Sequence, residues 1–232
     1  MVTMDIKEIW ENIYREHEWG KYPPIPFVRF VARNFYNVND RRKIKFLELG
    51  CGPGANIWYL AREGFSVSCI EISENAVIRL KKRLLEENLY HFLERVEIGD
   101  YRDVLTKFPD SYYDCVFDIE SLCCITFNDA LHVIEEAFKK LKVGGLFFTM
   151  TLADGTYGLE NIHEIDYHAG IPTVGPLANK GLNRYTTIDD IYILFNKPYM
   201  KIEFIHRNDY YYDAINNKDA IKEWCIAVRK LW

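Results

Sequence analysis

The sequence predicts an α/β fold, a mostly parallel sheet covered on both faces by helices, and three observations carry that prediction. Residues 43–73 read in succession as strand, glycine turn, helix and second strand. Short apolar runs then alternate with helical periods as far as residue 152, the pattern that builds a parallel sheet from crossover units. The 232 residues, 49% of them hydrophobic, suffice for a full core, and no Pro-, Gly- or Ser-rich linker divides them.

Taken in order, residues 5–18 set Ile6, Ile9, Trp10, Ile13 and Tyr14 at helical spacing among acids, and Trp19-Gly20 with Pro23, Pro24 and Pro26 ends that amphipathic helix. A second helix over 26–36 turns Phe27, Phe30, Val31 and Phe35 inward. Ile44, Phe46, Leu47 and Leu49 make the short apolar run of a strand buried on both faces. The chain then turns through Gly50, Gly52, Pro53 and Gly54. Glycine accepts positive φ and lets a ligand approach the backbone. The helix that follows over 55–62 points free N–H groups and its positive dipole end into the same space, which suits a carboxylate-bearing ligand. A strand over 66–72 carries Glu71 roughly twenty residues beyond the turn, where a strand-tip carboxylate accepts both hydroxyl protons of a ribose.

Ser73 suits the N-cap of a helix to about residue 88, with Ala76, Val77, Leu80, Leu84 and Leu85 on one face. A short strand over 94–98 leads to Gly99-Asp100-Tyr101, and Asp100 is placed to cap a short helix over 101–108. The strand 113–119 delivers Asp118, Ile119 and Glu120 to its carboxyl end, the edge at which open parallel sheets bind ligands. A helix over 127–140 presents Leu131, Ile134, Phe138 and Leu141 at three- and four-residue spacing, and L-K-V-G-G turns the chain into a strand over 146–151.

The run E-L-G-C-G-P-G followed by I-E-I-S resembles the cofactor-binding signature of the class I methyltransferases, which use S-adenosylmethionine. The nicotinamide fingerprint is a poorer match, because G-C-G-P-G-A lacks its third glycine. The resemblance spans residues 43–152. It implies a Rossmann-like sheet of seven mostly parallel strands in the order 3-2-1-4-5-7-6, strand 7 antiparallel, in a single domain. That domain divides into an N-terminal helical lid (1–40), a cofactor core (43–152), a substrate-loop insertion (153–185) and a C-terminal helix and hairpin (186–232).

The resemblance also implies contacts with the cofactor, which leaves as S-adenosylhomocysteine, from Gly50, Cys51 and Gly52 and from Glu71 with Ile72. It sets Asp100 on the adenine amino group, Tyr101 on the ring, and Asp118 with Ile119 near the methionine ammonium. The W-x-x-x-Y helix resembles the lid of thiopurine methyltransferase-like enzymes, which would lay Trp10, Tyr14 and Trp19 over the cofactor; ordinary core packing of such an aromatic pair reads equally well. Arg29 would reach the cofactor carboxylate from the second helix, or stay solvated.

Residues 153–185 are rich in Gly, Asn, His and Asp and show no clear period, and a loop this long in a compact domain is a lid or binding loop. It holds His163, Glu164, Asp166, Tyr167 and His168, titratable groups of the kind general-base work needs. His163, Asp166 and His168 fit no standard ligand spacing, so no metal is expected. Glu120 and His168 are the first candidates for a base that takes the acceptor's proton, with His163 behind them; Glu120 equally suits a strand-end carboxylate bonded to loop amides. Thr186, or alternatively Thr187, caps a helix carrying Ile188, Ile191, Tyr192, Leu194 and Phe195. Strands over 200–212 and 220–230 form a hairpin through Asn216-Asn217-Lys218-Asp219.

A net charge of −5 and dispersed Lys/Arg, apart from a helical run over 79–83 read as a solvated face, argue against nucleic acid as substrate. The six cysteines form no C-x-x-C pair and read as small buried hydrophobes. No signal-peptide core or membrane-length apolar run is seen, so the expected location is the cytoplasm, with no membrane partner. The oligomeric state is not readable. The predicted activity is methyl transfer to nitrogen or oxygen of a small molecule, with Tyr157, Tyr167, Tyr185, Tyr210, Tyr211 and Tyr212 as candidate walls of an amine pocket or as ordinary core and surface. Two alternatives stand beside it. A protein or RNA methyltransferase would need a basic docking surface, and a non-catalytic S-adenosylmethionine-binding module would have no use for a cluster of bases.

Overall fold

The computed structural model describes residues 6–160, 162–213, 215 and 218–232. Its helices are α1 (Ile6–Glu16), α2 (Ile25–Phe35), α3 (Ala55–Arg62), α4 (Glu74–Glu86), α5 (Tyr101–Val104), α6 (Phe127–Lys140) and α7 (Ile188–Leu194). The strands are β1 (Lys45–Leu49), β2 (Ser66–Glu71), β3 (Leu93–Ile98), β4 (Tyr113–Ile119), β5 (Leu141–Leu152), β6 (Glu164–Asp166), β7 (Ala169–Gly170), β8 (Asn183–Arg184), β9 (Met200–Asp213) and β10 (Lys218–Lys230). Seven of them form one sheet in the order β3-β2-β1-β4-β5-β10-β9. The first five are parallel, and β10 runs antiparallel to both β5 and β9. This is the topology implied by the resemblance, with the hairpin strands in the sixth and seventh places.

Alternation along the strands makes two cores, one on each face of the sheet. Leu47, Leu49, Val116 and Phe147 pack under α5, α6 and α7. Phe46, Val67, Phe117 and Phe148 pack under α2 and α3. Stacked rings pin α2 to the sheet, with Phe27–Phe117 centroids 4.5 Å apart and Phe30–Phe148 centroids 4.4 Å apart. All six cysteines are buried and unpaired.

Several boundaries differ from the sequence reading for visible reasons. The L-K-V-G-G stretch is not a free turn: β5 begins at Leu141, which pairs with Tyr113 before the register shifts. Thr187, not Thr186, caps α7 and forms a capping box with Asp190. The Thr186 carbonyl instead accepts the Trp224 indole N–H at 2.7 Å. The predicted helix over 101–108 shortens to α5 and a 3₁₀ turn, Leu105–Lys107. Residues 153–185 carry a small sheet, β6-β7-β8, whose strands are too short to leave a period in the sequence. The basic run on α4 is more than a solvated face, since Arg79 donates to the His17 carbonyl at 2.7 Å and Arg83 to the Lys21 carbonyl at 2.6 Å. Asp5, where the first helix was expected to begin, and Asn216-Asn217 of the expected hairpin turn lie outside the described residues.

Candidate functional site

The site begins where β1 ends. Gly50, Gly52 and Gly54 all take positive φ, at 69°, 50° and 82°. A Cβ on Gly50 would stand 2.0 Å from Ser121 Oγ, and one on Gly54 would stand 2.2 Å from Leu80 Cδ1, so the turn is wedged between the β4 exit and α4. Gly50 and Cys51 donate to the Ile70 carbonyl, which fixes the turn against β2.

Glu71, 4% exposed at the end of β2, closes the other side. Its Oε2 accepts the Gly52 N–H at 2.6 Å and its Oε1 the Ser73 N–H at 2.9 Å. Burial raises its pKa, and these two backbone donors work against the rise. Each oxygen keeps further acceptor capacity for a ligand hydroxyl.

Behind the turn lies a group that the sequence reading did not single out. Glu48 sits within β1 and is 1% exposed. Because side chains alternate along the strand, it shares a face with Phe46 and meets Asn56 in the first turns of α3. Its Oε1 accepts Asn56 Nδ2 at 2.6 Å, while Glu48 Oε2 and Asn56 Oδ1 have no hydrogen-bond partner among the described residues. Burial holds the Glu48 carboxyl well above the usual carboxylate range. Its sequence signal was an acid inside an otherwise apolar strand run.

These residues line one cavity of 220 Å³. The aromatic residues of the N-terminal segment roof it: Trp10 stacks on Tyr14 at 5.6 Å, and Trp19 meets Trp10 and Tyr14 edge-on at 6.0 and 5.4 Å. The roof is tied down through Glu11, whose carboxylate accepts the Ser73 hydroxyl and Asn75 Nδ2, bridging α1 to the start of α4. Burial and the neighbouring Glu71 hold the Tyr14 hydroxyl well above its ordinary pKa. Ile119, Glu120, Cys123 and Cys124 complete the wall from the β4 exit. Glu120 takes a left-handed conformation, φ 57°, and its backbone N–H donates to the Met150 carbonyl at 2.8 Å. Its carboxyl meets that of Glu223 on β10.

Of the residues singled out from sequence, Trp10, Tyr14, Trp19, Gly50, Cys51, Gly52, Glu71, Ile119 and Glu120 share the cavity wall. The others lie elsewhere. Asp118 is fully buried, and its carboxylate accepts the Ser121 and Leu122 N–H groups, both at 2.9 Å, and Thr149 Oγ1 at 2.8 Å. Burial pushes it up to about 7 despite those donors. Asp100 caps α5 and pairs with Arg102 Nε at 2.9 Å. Tyr101 donates to the Ser121 carbonyl at 3.1 Å, and its ring lies 3.6 Å from the position of a Cβ on Gly50. Ile72 follows Glu71 outside the wall. His163 is exposed in the 153–185 segment. His168 bonds Asp190 at 2.9 Å and stacks between Tyr167 and Tyr185, which makes it part of the packing of α7. Arg29 lines a separate cleft between α2 and β9. Among the described residues no group of three His, Cys, Asp or Glu side chains is placed to hold a metal, and no helix is long and apolar enough to cross a membrane.

Comparison with known proteins agrees with this geometry. Residues 47–149 match the family model described as a methyltransferase domain. Thiol S-methyltransferase TMT1B of Rattus norvegicus is 31% identical over 142 residues, which cover 55% of this chain and 56% of that protein. The chain therefore spans about half the length of the curated relative it matches. A SAM-dependent methyltransferase from Methanosarcina mazei superposes with a TM-score of 0.69 at 16% identity, over 90% of this chain and 98% of that one. The geranyl diphosphate C-methyltransferase of Streptomyces coelicolor A3(2) does so with a TM-score of 0.67 at 13% identity, over 99% and 100%. At those identities the structural likeness speaks for the fold.

Proposed function

The chain carries a class I, S-adenosylmethionine-dependent methyltransferase domain over residues 47–149, and we propose that it transfers a methyl group to a nitrogen or oxygen of a small-molecule acceptor. The observation that carries this reading is the polar frame of the cavity: Glu71 fixed by two backbone N–H groups, and Glu48 with Asn56 each keeping a buried oxygen without a partner. Buried polar atoms are almost always satisfied, so orphans in a cavity wall mark a place for a ligand's donors.

S-adenosylmethionine brings a sulfonium-activated methyl, which is most of the chemistry. The chain's own residues bind, orient and exclude water. Glu71 accepts the ribose hydroxyls. Glu48 and Asn56 offer their free oxygens to the amino-acid end of the cofactor, and the N–H groups at the start of α3 face its carboxylate. Asp100 is engaged with Arg102, so the adenine reading of Asp100 and Tyr101 rests on the position of Tyr101 beside Gly50. Asp118, with its oxygens spent on Ser121, Leu122 and Thr149, supports the loop that carries Ile119 and Glu120. Trp10, Tyr14 and Trp19 shut the site from water, which strengthens every charge interaction inside it. Glu120, alone of Glu120, His163 and His168 on the cavity wall, takes the proton of an acceptor N–H or O–H.

Sulfur as acceptor is the second reading, and the matched thiol S-methyltransferase favours it. A panel of small amines, alcohols and thiols, incubated with methyl-labelled S-adenosylmethionine, tests both. Label on amines or alcohols upholds the first reading, and label on thiols alone replaces it with the second. Label on protein or RNA only would contradict both.

A further inference from the structure

Glu120 does not stand alone. Its carboxyl meets that of Glu223, which is 8% exposed on β10, and no cation and no N–H donor meets either carboxyl among the described residues. Two carboxyls in contact repel one another when both are charged, which favours a proton on the buried Glu223. Burial and the neighbouring Glu120 accordingly push Glu223 up to about 9.

The pair lies between two cavities. Glu120 lines the cofactor cavity, and Glu223 lines an adjoining groove of 420 Å³ with Pro24, Ile221, Tyr210, Tyr211 and Tyr212. Pro24, the N-cap of α2, borders both. The hairpin register explains the groove: Ile221 pairs with Tyr210 and Glu223 with Asn208, so these four project from one sheet face. All three tyrosine rings are exposed. Around the pair, Tyr210 and Cys225 stand on the hairpin and Arg29 on α2, with Arg29 exposed and facing the Tyr210 hydroxyl electrostatically. Asn208 is occupied by the Cys225 sulfur at 3.1 Å.

We propose that this tyrosine groove is the acceptor's binding site, and that it takes a primary or secondary amine on a flat apolar body, the ammonium lying between Glu120 and Glu223. Tyrosine faces attract an ammonium and cover an apolar ring. The ammonium supplies the positive charge that the carboxyl pair lacks, so its arrival displaces the proton held on Glu223. The site then borders the cofactor cavity through Glu120. This rests on the methyltransferase reading and sharpens it from nitrogen or oxygen to a cationic amine.

The test is calorimetric titration of the whole chain, with S-adenosylhomocysteine present, using phenethylammonium chloride and its neutral counterpart phenethyl alcohol in two buffers of different ionisation enthalpy. The ammonium is expected to bind about tenfold or more tighter than the alcohol, as hydrogen bonds to charged groups imply, and to release protons. Glu223→Gln should remove both the preference and the proton release while leaving S-adenosylhomocysteine binding intact. Tyr210→Ala, at an exposed strand position, should weaken ammonium binding and keeps the test open if Glu223→Gln does not fold. Equal affinity for the two probes, no proton release, or an unaltered Glu223→Gln would overturn the proposal. If S-adenosylhomocysteine still binds in that case, the acceptor inference alone fails; if it does not bind the wild type, the methyltransferase reading fails first.

Discussion

Glu71 and Glu120 face the same cavity with opposite commitments. Both Glu71 oxygens are tied to backbone N–H groups, which makes it a fixed acceptor, whereas the Glu120 carboxyl meets only another carboxyl. Glu120→Gln should therefore lower turnover by about 10²–10⁴-fold, the usual range for a general base, with S-adenosylhomocysteine affinity within about twofold of wild type. Unchanged turnover would remove Glu120 from the chemistry. Asp118 gives a pH prediction. Its folded pKa, about 7, lies above the unfolded value of 3.8, so the folded state holds its proton more firmly. Its contribution is complete below about pH 4 and is lost as pH rises toward 7. The stability of wild type relative to Asp118→Asn, measured by chemical denaturation at several pH values, should fall across that window; a flat difference would contradict the burial argument. The sequence set Asp118 near the methionine ammonium and Glu120 toward the acceptor, both at the end of one strand. The fold turns Asp118 back onto Ser121, Leu122 and Thr149, away from the cavity, and leaves Glu120 on its wall.

At the scale of elements, β1, the glycine turn, α3 and β2 were legible because their signals are local: an apolar run, three glycines, a helical period and an acid at a fixed distance. The parts of the site that were not legible come from long-range pairing. Glu223 reaches Glu120 only through the β5–β10 register, in which it pairs with Leu152. The roof helix α1 is tied to the start of α4 by Glu11, through Ser73 and Asn75, beside a Lys7–Glu74 ion pair and Arg79 on the Arg15 and His17 carbonyls. Glu11→Ala should release α1 to limited proteolysis and weaken cofactor binding. It should lower global stability by no more than about 1 kcal/mol, the scale of one capping contact. Unaltered proteolysis would mean that aromatic packing and the remaining ties to Glu74 and Arg79 hold the roof. Thr187→Ala, which removes the α7 capping box, should cost about 1 kcal/mol by denaturant titration, and Thr186→Ala should not act through the cap.

For the whole molecule, the sheet gathers the carboxyl ends of β1, β2 and β4 along one edge, and the glycine turn, Glu71 and Glu120 stand on that edge. The fold class and strand order followed from alternating apolar runs and from the resemblance carried by E-L-G-C-G-P-G. The 153–185 segment did not, since Lys180 and Asn183 join the cavity wall through a three-stranded sheet of two- and three-residue strands. Calorimetric titration of the wild type beside Glu71→Ala with S-adenosylhomocysteine, each checked for native secondary structure by circular dichroism, decides whether this edge holds S-adenosylmethionine. Saturable binding by the wild type is expected, weakened about tenfold or more in the variant, in line with the loss of hydrogen bonds to a charged acceptor. A folded wild type that does not bind, or a folded Glu71→Ala that binds equally well, would contradict that expectation.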